Sequence, residues 1–243
     1  MRLLIDAGNT RLKWQLVRGE TCLARGGGDL AGADLFQGAS PHLGALTRVA
    51  VSTVASETAC ETLAARLKAL TPAPVSWYWT EPARGGLTCA YEQPHTMGAD
   101  RWHGLYAAWR RYGEAVAVLD AGSALTVDLV DAGGQHLGGY ILPGRGMMLR
   151  SLRQDAARIG FADSHAGSLL PGRSTTECVH HGLHWLWQGL VSRVEADCER
   201  LAIGRVLLTG GDAPELQALG LKAELRPDLV FEGLAAIDAE SHP

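Results

Sequence analysis

Two short stretches carry residue types suited to holding a polyphosphate. Leu3-Leu4-Ile5-Asp6-Ala7-Gly8-Asn9-Thr10 opens the chain, and Ala117-Val118-Leu119-Asp120-Ala121-Gly122-Ser123-Ala124 repeats its pattern. In both, an apolar run ends on Asp-Ala-Gly, a small polar residue follows, and a second extended run begins, Leu12–Val17 in one and Thr126–Val130 in the other. The match continues, with Gly19 falling on Gly133 and Leu23 on Leu137. A glycine has no Cβ, so backbone N–H groups there approach a ligand closely and point at phosphate oxygens. An Asp at each strand end adds a carboxylate for a hard cation that bridges those oxygens. One such turn is common and usually structural. Two at a regular offset suggest a duplicated domain with two facing loops around one polyphosphate.

Further candidates for chemistry lie between and after the two turns. Gly85-Gly86-Leu87-Thr88 begins an irregular segment that runs through Tyr91 and Pro94 to Gly98-Ala99-Asp100-Arg101. Long polar loops inside a domain are more often functional than decorative. Trp102, Leu105, Tyr106 and Trp109 then recur at helical spacing, which sets Asp100 and Arg101 at a helix N-terminus, where an anion is favoured. The competing reading makes Asp100 a plain cap and Arg101 its surface neighbour. Val206-Leu207-Leu208-Thr209-Gly210-Gly211-Asp212 is a third strand-to-glycine turn. His180, His181 and His184 with Glu177 one turn earlier have metal-like spacing, but without a second carboxylate or cysteine cluster a polar helix face is the preferred reading.

The elements that must position these residues follow from pattern and punctuation. Arg25–Asp34, rich in Gly and Ala, reads as a loop, Val49–Val54 as a buried strand, Glu57–Leu70 as a helix and Val75–Trp79 as another strand. Gly138 and Gly139, in an otherwise strand-like run, suggest a close backbone approach. A helix from Met147 to about Arg158 and a loop at Phe161–Ser174 precede a long helix, Thr176 to Ala202, with Leu183, Leu186, Leu190 and Val194 on one side. Trp185 and Trp187 on that helix are candidates to bury against a partner. Pro227–Ile237 reads as a short closing helix.

The 243 residues suit two halves, 1–114 and 115–243. At 47% hydrophobic and 20% charged the chain has the composition of a protein that buries a full core, and a net charge of −4 argues against a nucleic-acid binder that relies on a general basic surface. No apolar stretch is long enough to span a membrane, and no signal peptide fits before the first strand. Five cysteines without a C-x-x-C pair suggest reduced thiols in a cytoplasmic protein.

Asp6-Ala-Gly-Asn-Thr-Arg-Leu-Lys13, Gly98-Ala-Asp-Arg-Trp102, Asp120-Ala-Gly-Ser123 and Gly138-Gly-Tyr-Ile-Leu-Pro-Gly144, in that order, resemble the type III pantothenate kinases. The likeness covers nearly the whole chain, and Gly-Ala-Asp-Arg-Trp is its most discriminating part. It implies an α/β protein of two duplicated ribonuclease H-like domains in the actin-like ATPase fold, each a mixed sheet flanked by helices. It also implies Mg²⁺- and ATP-dependent phosphorylation of pantothenate by a homodimer. On the matching positions, Asp6, Ala7, Gly8, Asn9, Thr10, Arg11, Leu12 and Lys13 form the first ATP phosphate loop, with Asp6 reaching Mg²⁺ through the phosphates, and Ser123 contributes to the second. Asp120 holds a monovalent cation, potassium or ammonium. Tyr91, Gly98, Ala99, Asp100 and Arg101 contact pantothenate, with Asp100 as general base. Thr175, adjacent to Thr176, closes over pantothenate from the partner subunit. The family usually has Thr where this chain has Ser123, which keeps the hydroxyl. Two other readings stay open: a catalytically silent nucleotide-binding regulator such as a transcriptional accessory factor, and a kinase of another small acceptor.

Overall fold

Leu3, Leu4 and Ile5 of strand β1 (Arg2–Ala7) are at most 1% exposed, because the strand is covered on both faces. Such a strand reads as a continuous apolar run instead of an alternating one. In the computed structural model, which describes residues 1–156, 158–164 and 167–242, β1 is joined by β2 (Leu12–Arg18), β3 (Thr21–Gly28), β4 (Arg48–Thr53) and β5 (Val75–Tyr78). Their order in the sheet is β3-β2-β1-β4-β5. The first three form an antiparallel meander, and β4 and β5 run parallel to β1. Helix α1 (Glu57–Leu70), capped by the Ser56 hydroxyl, lays Leu63 and Leu67 against Leu3, Ile5 and Ala7. A two-stranded ribbon, β6 (Ala83–Arg84) and β7 (Leu87–Thr88), turns on Gly85 and Gly86, both at positive φ, and leads to α2 (Ala99–Tyr112).

The second sheet repeats the plan. It contains β8 (Val116–Ala121), β9 (Ala124–Val130), β10 (His136–Pro143), β11 (Arg205–Thr209) and β12 (Glu224–Leu225), in the order β10-β9-β8-β11-β12. Strand senses match those of the first sheet one for one. Three helices accompany it: α3 (Arg145–Asp155), α4 (Thr175–Arg200) and α5 (Ala213–Ala218). The final helix, α6 (Leu229–Ser241), packs Phe231 and Leu234 on Leu4 and Ala50 of the first sheet. Its contacts therefore group Asp228–Pro243 with Met1–Gly113, while Glu114–Pro227 forms the other unit. The expected halves, 1–114 and 115–243, differ from these units in that last helix.

Two local expectations need correction, and one further element carries no sequence signal. Arg25–Gly28, expected in a loop, belongs to β3, because Trp14 on β2 lies across it: a Cβ on Gly26 would sit 2.6 Å from the Trp14 ring. The glycines there make room for an indole that β2 buries. On α4 the buried line is Leu183, Trp187, Val191, Val194 and Cys198, whereas Leu186 is exposed. A run at Gln37–Ala45, which carries no helical apolar spacing, forms a 3-10 helix.

Candidate active site

In the first unit, Asp6 ends β1 opposite Lys13 on β2, and the turn between them closes with the Gly8 N–H donating to the Arg11 carbonyl at 3.2 Å. Asn9, Thr10, Arg11 and Lys13 are exposed, while Ala7 and Leu12 anchor the turn in the core. A cavity of about 170 Å³ is lined by Ala7 through Leu12 together with Ser56, Ala59 and Cys60 at the start of α1. Strand-end glycine, exposed hydroxyl and amide, and the positive end of a helix together suit phosphate oxygens.

The same unit gathers the five residues expected around the acceptor. The Thr80 hydroxyl donates to the Met97 carbonyl at 2.9 Å and fixes the approach to α2. Gly98 is the N-cap, so Asp100 stands at the second helical position and is not the plain cap of the competing reading. Its Oδ1 accepts the Arg101 backbone N–H at 2.8 Å. A side chain on Gly98 would begin 2.6 Å from that oxygen, so glycine there keeps the carboxylate in place. Arg101 is no surface neighbour: only 8% exposed, it donates to the Tyr91 hydroxyl at 2.9 Å and lies over the Tyr91 ring. Tyr91, Gly98, Ala99, Asp100 and Arg101 thus form one connected group. Next to it, His103 is fully buried, with Nδ1 2.8 Å from the Ser52 hydroxyl. Burial, and after it the charge of Arg84, pushes that imidazole down to a pKa of about 3.

In the second unit, three backbone segments converge on the turn after Asp120. Gly122 N–H donates to the Ala124 carbonyl at 2.9 Å, Gly144 N–H to Ser123 at 3.1 Å, and Asp212 N–H to Ala121 at 2.8 Å. A Cβ on Gly144 would collide with the Gly122 carbonyl. A Cβ on Gly210, at φ +97°, would collide with the Ala121 carbonyl and lie 2.6 Å from Asp120 Oδ1. The glycines thus let these backbone segments close in beside the Asp120 carboxylate, an oxygen donor of the kind a hard cation takes. Asp212, at the rim, has its carboxyl pushed up by burial and by Glu215, with Arg145 opposing. Sequence reasoning placed Asp212 in the third turn but not beside Asp120, because only the parallel pairing of β11 with β8 brings them together. Gly210→Ala is expected to disrupt this turn, so that the protein melts at lower temperature, as checked by thermal melting.

Thr175 opens α4 and is exposed at a cavity of about 730 Å³ lined also by Leu152, Ile159 and Cys178. Its neighbour Thr176 instead accepts the Ala162 N–H at 3.2 Å. The histidines of α4 brace the segment before it. His180 Nε2 is 3.0 Å from the Ala162 carbonyl and His181 Nδ1 is 2.8 Å from that of Leu170, while Glu177 accepts the Arg173 N–H at 2.7 Å. Among the described residues no three His, Cys, Asp or Glu side chains are grouped to hold a metal. The metal reading of Glu177, His181 and His184 is therefore set aside.

The whole chain superposes, at a TM-score of 0.62 and 20% identity, on a Campylobacter jejuni protein described as a candidate Baf family transcriptional activator, covering 98% of both chains. It matches a Listeria monocytogenes protein described as a candidate N-acetylmannosamine kinase at a TM-score of 0.55 and 15% identity, over 100% of this chain and 99% of that one. Two mixed sheets of one topology with Asp-Gly turns at the strand ends define a protein of the actin-like ATPase and sugar-kinase fold. The sequence profile described as type III pantothenate kinase matches residues 2–197. A type III pantothenate kinase from Marinobacter nauticus is 51% identical over 243 residues, 98% of each chain. The chain belongs to the type III pantothenate kinase family.

Proposed function

We propose that the protein transfers the γ-phosphoryl group of ATP to the primary hydroxyl of pantothenate, giving 4′-phosphopantothenate in the first step towards coenzyme A. The observation that carries this reading is the Asp100 carboxylate, held at the start of α2 by its own backbone next to the buried Arg101, which bonds the half-buried Tyr91. Asp100 takes the hydroxyl proton as that oxygen bonds to the γ-phosphorus and the bond to the ADP oxygen breaks. The Arg101 guanidinium presents its N–H donors in a planar fork, a geometry that suits the pantothenate carboxylate. The turn from Asp6 to Lys13 receives phosphate oxygens, and the Asp6 carboxylate would help hold the Mg²⁺ that accompanies them. In the second unit the Ser123 hydroxyl donates to phosphate, and Asp120 with its neighbouring carbonyls suits potassium or ammonium. Bound Mg²⁺ would neutralise charge on the phosphate oxygens.

Trp185, 68% exposed, and Leu186 on α4, with Tyr140 and Ile141 on β10, leave an apolar surface that suits a second copy of the chain. Thr175 would reach the partner's pantothenate in such a homodimer. Five free thiols suit the cytoplasm, and no helix among the described residues is long and apolar enough to cross a membrane. The deciding experiment is ADP release with and without pantothenate. Stimulation by pantothenate alone among a panel of alcohols and acids supports the kinase. Stimulation by another acceptor shifts the substrate, and release that ignores every acceptor leaves a nucleotide-binding regulator.

A further inference from the structure

We propose that Ser52 and His103 are positioning residues that hold the two carboxylates of the first unit, Asp6 and Asp100, in fixed relation, an inference that rests on the kinase reading above. The parallel pairing of β1 with β4 sets Ser52 directly beside Asp6. Neighbouring strands lie about 4.8 Å apart, and paired residues point to the same face. Leu4 and Ala50, one step back on each strand, meet α6, so Asp6 and Ser52 share that face. His103 reaches Ser52 from α2, three residues after Asp100 and therefore on the same side of the helix. The bonded Ser52–His103 pair thus stands between the strand end that carries Asp6 and the helix start that carries Asp100.

Packing alone does not call for a histidine here. Its Nε2 is buried with no hydrogen-bond partner among the described residues, and the α6 backbone at Gly233 presses directly on the His103 carbonyl. An apolar side chain would fill the space without an unpaired nitrogen. Burial favours the neutral imidazole, which serves here as a hydrogen-bonding group to Ser52. With its proton on Nδ1 it donates to Ser52 Oγ, which fixes the serine side chain beside Asp6 on the neighbouring strand.

The test is the full-length double variant Ser52→Ala with His103→Leu, compared with wild type in pantothenate-dependent ADP release and thermal melting. Both polar partners leave together, so the melting temperature is expected at or above that of wild type. The expected kcat falls about 10- to 100-fold with KM for pantothenate unchanged, because the carboxylates lose alignment while the pocket stays. His103→Asn, whose amide N–H replaces Nδ1–H, recovers most of the loss. A folded double variant with wild-type kcat overturns the positioning role. So does a kcat that falls only with the folded fraction and is not recovered by asparagine. Should the double variant not fold, Ser52→Ala alone, which leaves His103 Nδ1 unpaired and so melts lower, must still show the fall in kcat with KM unchanged at a temperature where it is folded. A wild-type chain that makes no ADP in response to pantothenate overturns the kinase reading itself, a result distinct from an active wild type with an equally active variant.

Discussion

Asp100→Asn lowers kcat for pantothenate about 10²- to 10⁴-fold and leaves nucleotide binding unchanged. The size follows from what a positioned base supplies to an attacking alcohol. The amide retains an oxygen that accepts the Arg101 N–H, so the first turn of α2 keeps its geometry and only the capacity to take a proton is lost. Arg101 and Tyr91 stay where they are, and KM for pantothenate is expected to change little. Steady-state kinetics with pantothenate, alongside titration of the variant with ATP, separate these terms. Normal turnover by Asp100→Asn would show that the proton goes elsewhere, and a collapse of ATP binding would assign Asp100 a nucleotide role.

Asp238→Ala destabilises the fold by about 3–5 kcal/mol, the range for removing one partner of a buried ion pair. The carboxylate is fully buried between α6 and the first sheet, where Arg2 Nη1 and Arg48 Nε each stand 2.9 Å away and the Tyr78 hydroxyl donates at 2.8 Å. The Arg48 nitrogen is off the hydrogen-bonding direction, so its share is Coulombic. Without Asp238 two guanidinium groups lose their counter-charge, and the helix that closes the first unit loses its ties to Arg48 of β4 and Tyr78 of β5, keeping the Arg2 bond to the Ala235 carbonyl. Urea unfolding of the variant measures the loss, and an unchanged midpoint would mean that the Asp238 carboxylate contributes nothing to holding α6. Burial and then Asp238 push the Tyr78 phenol up to about 12. The folded state therefore holds that proton more tightly than the unfolded chain, and the associated stability is present below about pH 10 and disappears as pH rises towards 12.

Much of the site was legible because its determinants are local. Asp6-Ala-Gly and Asp120-Ala-Gly announce themselves through strand periodicity and a glycine, and the helix after Asp100 through the spacing of Trp102, Leu105 and Tyr106. Other features depend on what crosses over a residue. Arg25–Gly28 looks like a loop until the Trp14 ring is seen lying over Gly26. Trp187, expected to be available to a partner, is buried in the second core, while Trp185 two residues earlier is exposed. The two differ by the roughly 200° that separates positions two apart on a helix of about 3.6 residues per turn.

The doubled strand-turn-strand plan, the acidic glycine turns and the Gly-Ala-Asp-Arg element can be read along the chain, since each is written in consecutive residues whose propensities and spacing act over one or two turns. That α6 returns to the first unit, that Arg101 is buried against Tyr91, and that Gly210 and Asp212 stand against Asp120 emerge from the folded chain alone. So does the meeting of His103 with Ser52. These are contacts between distant parts of the chain, set by which strands pair and which faces must be buried, and no local pattern encodes them.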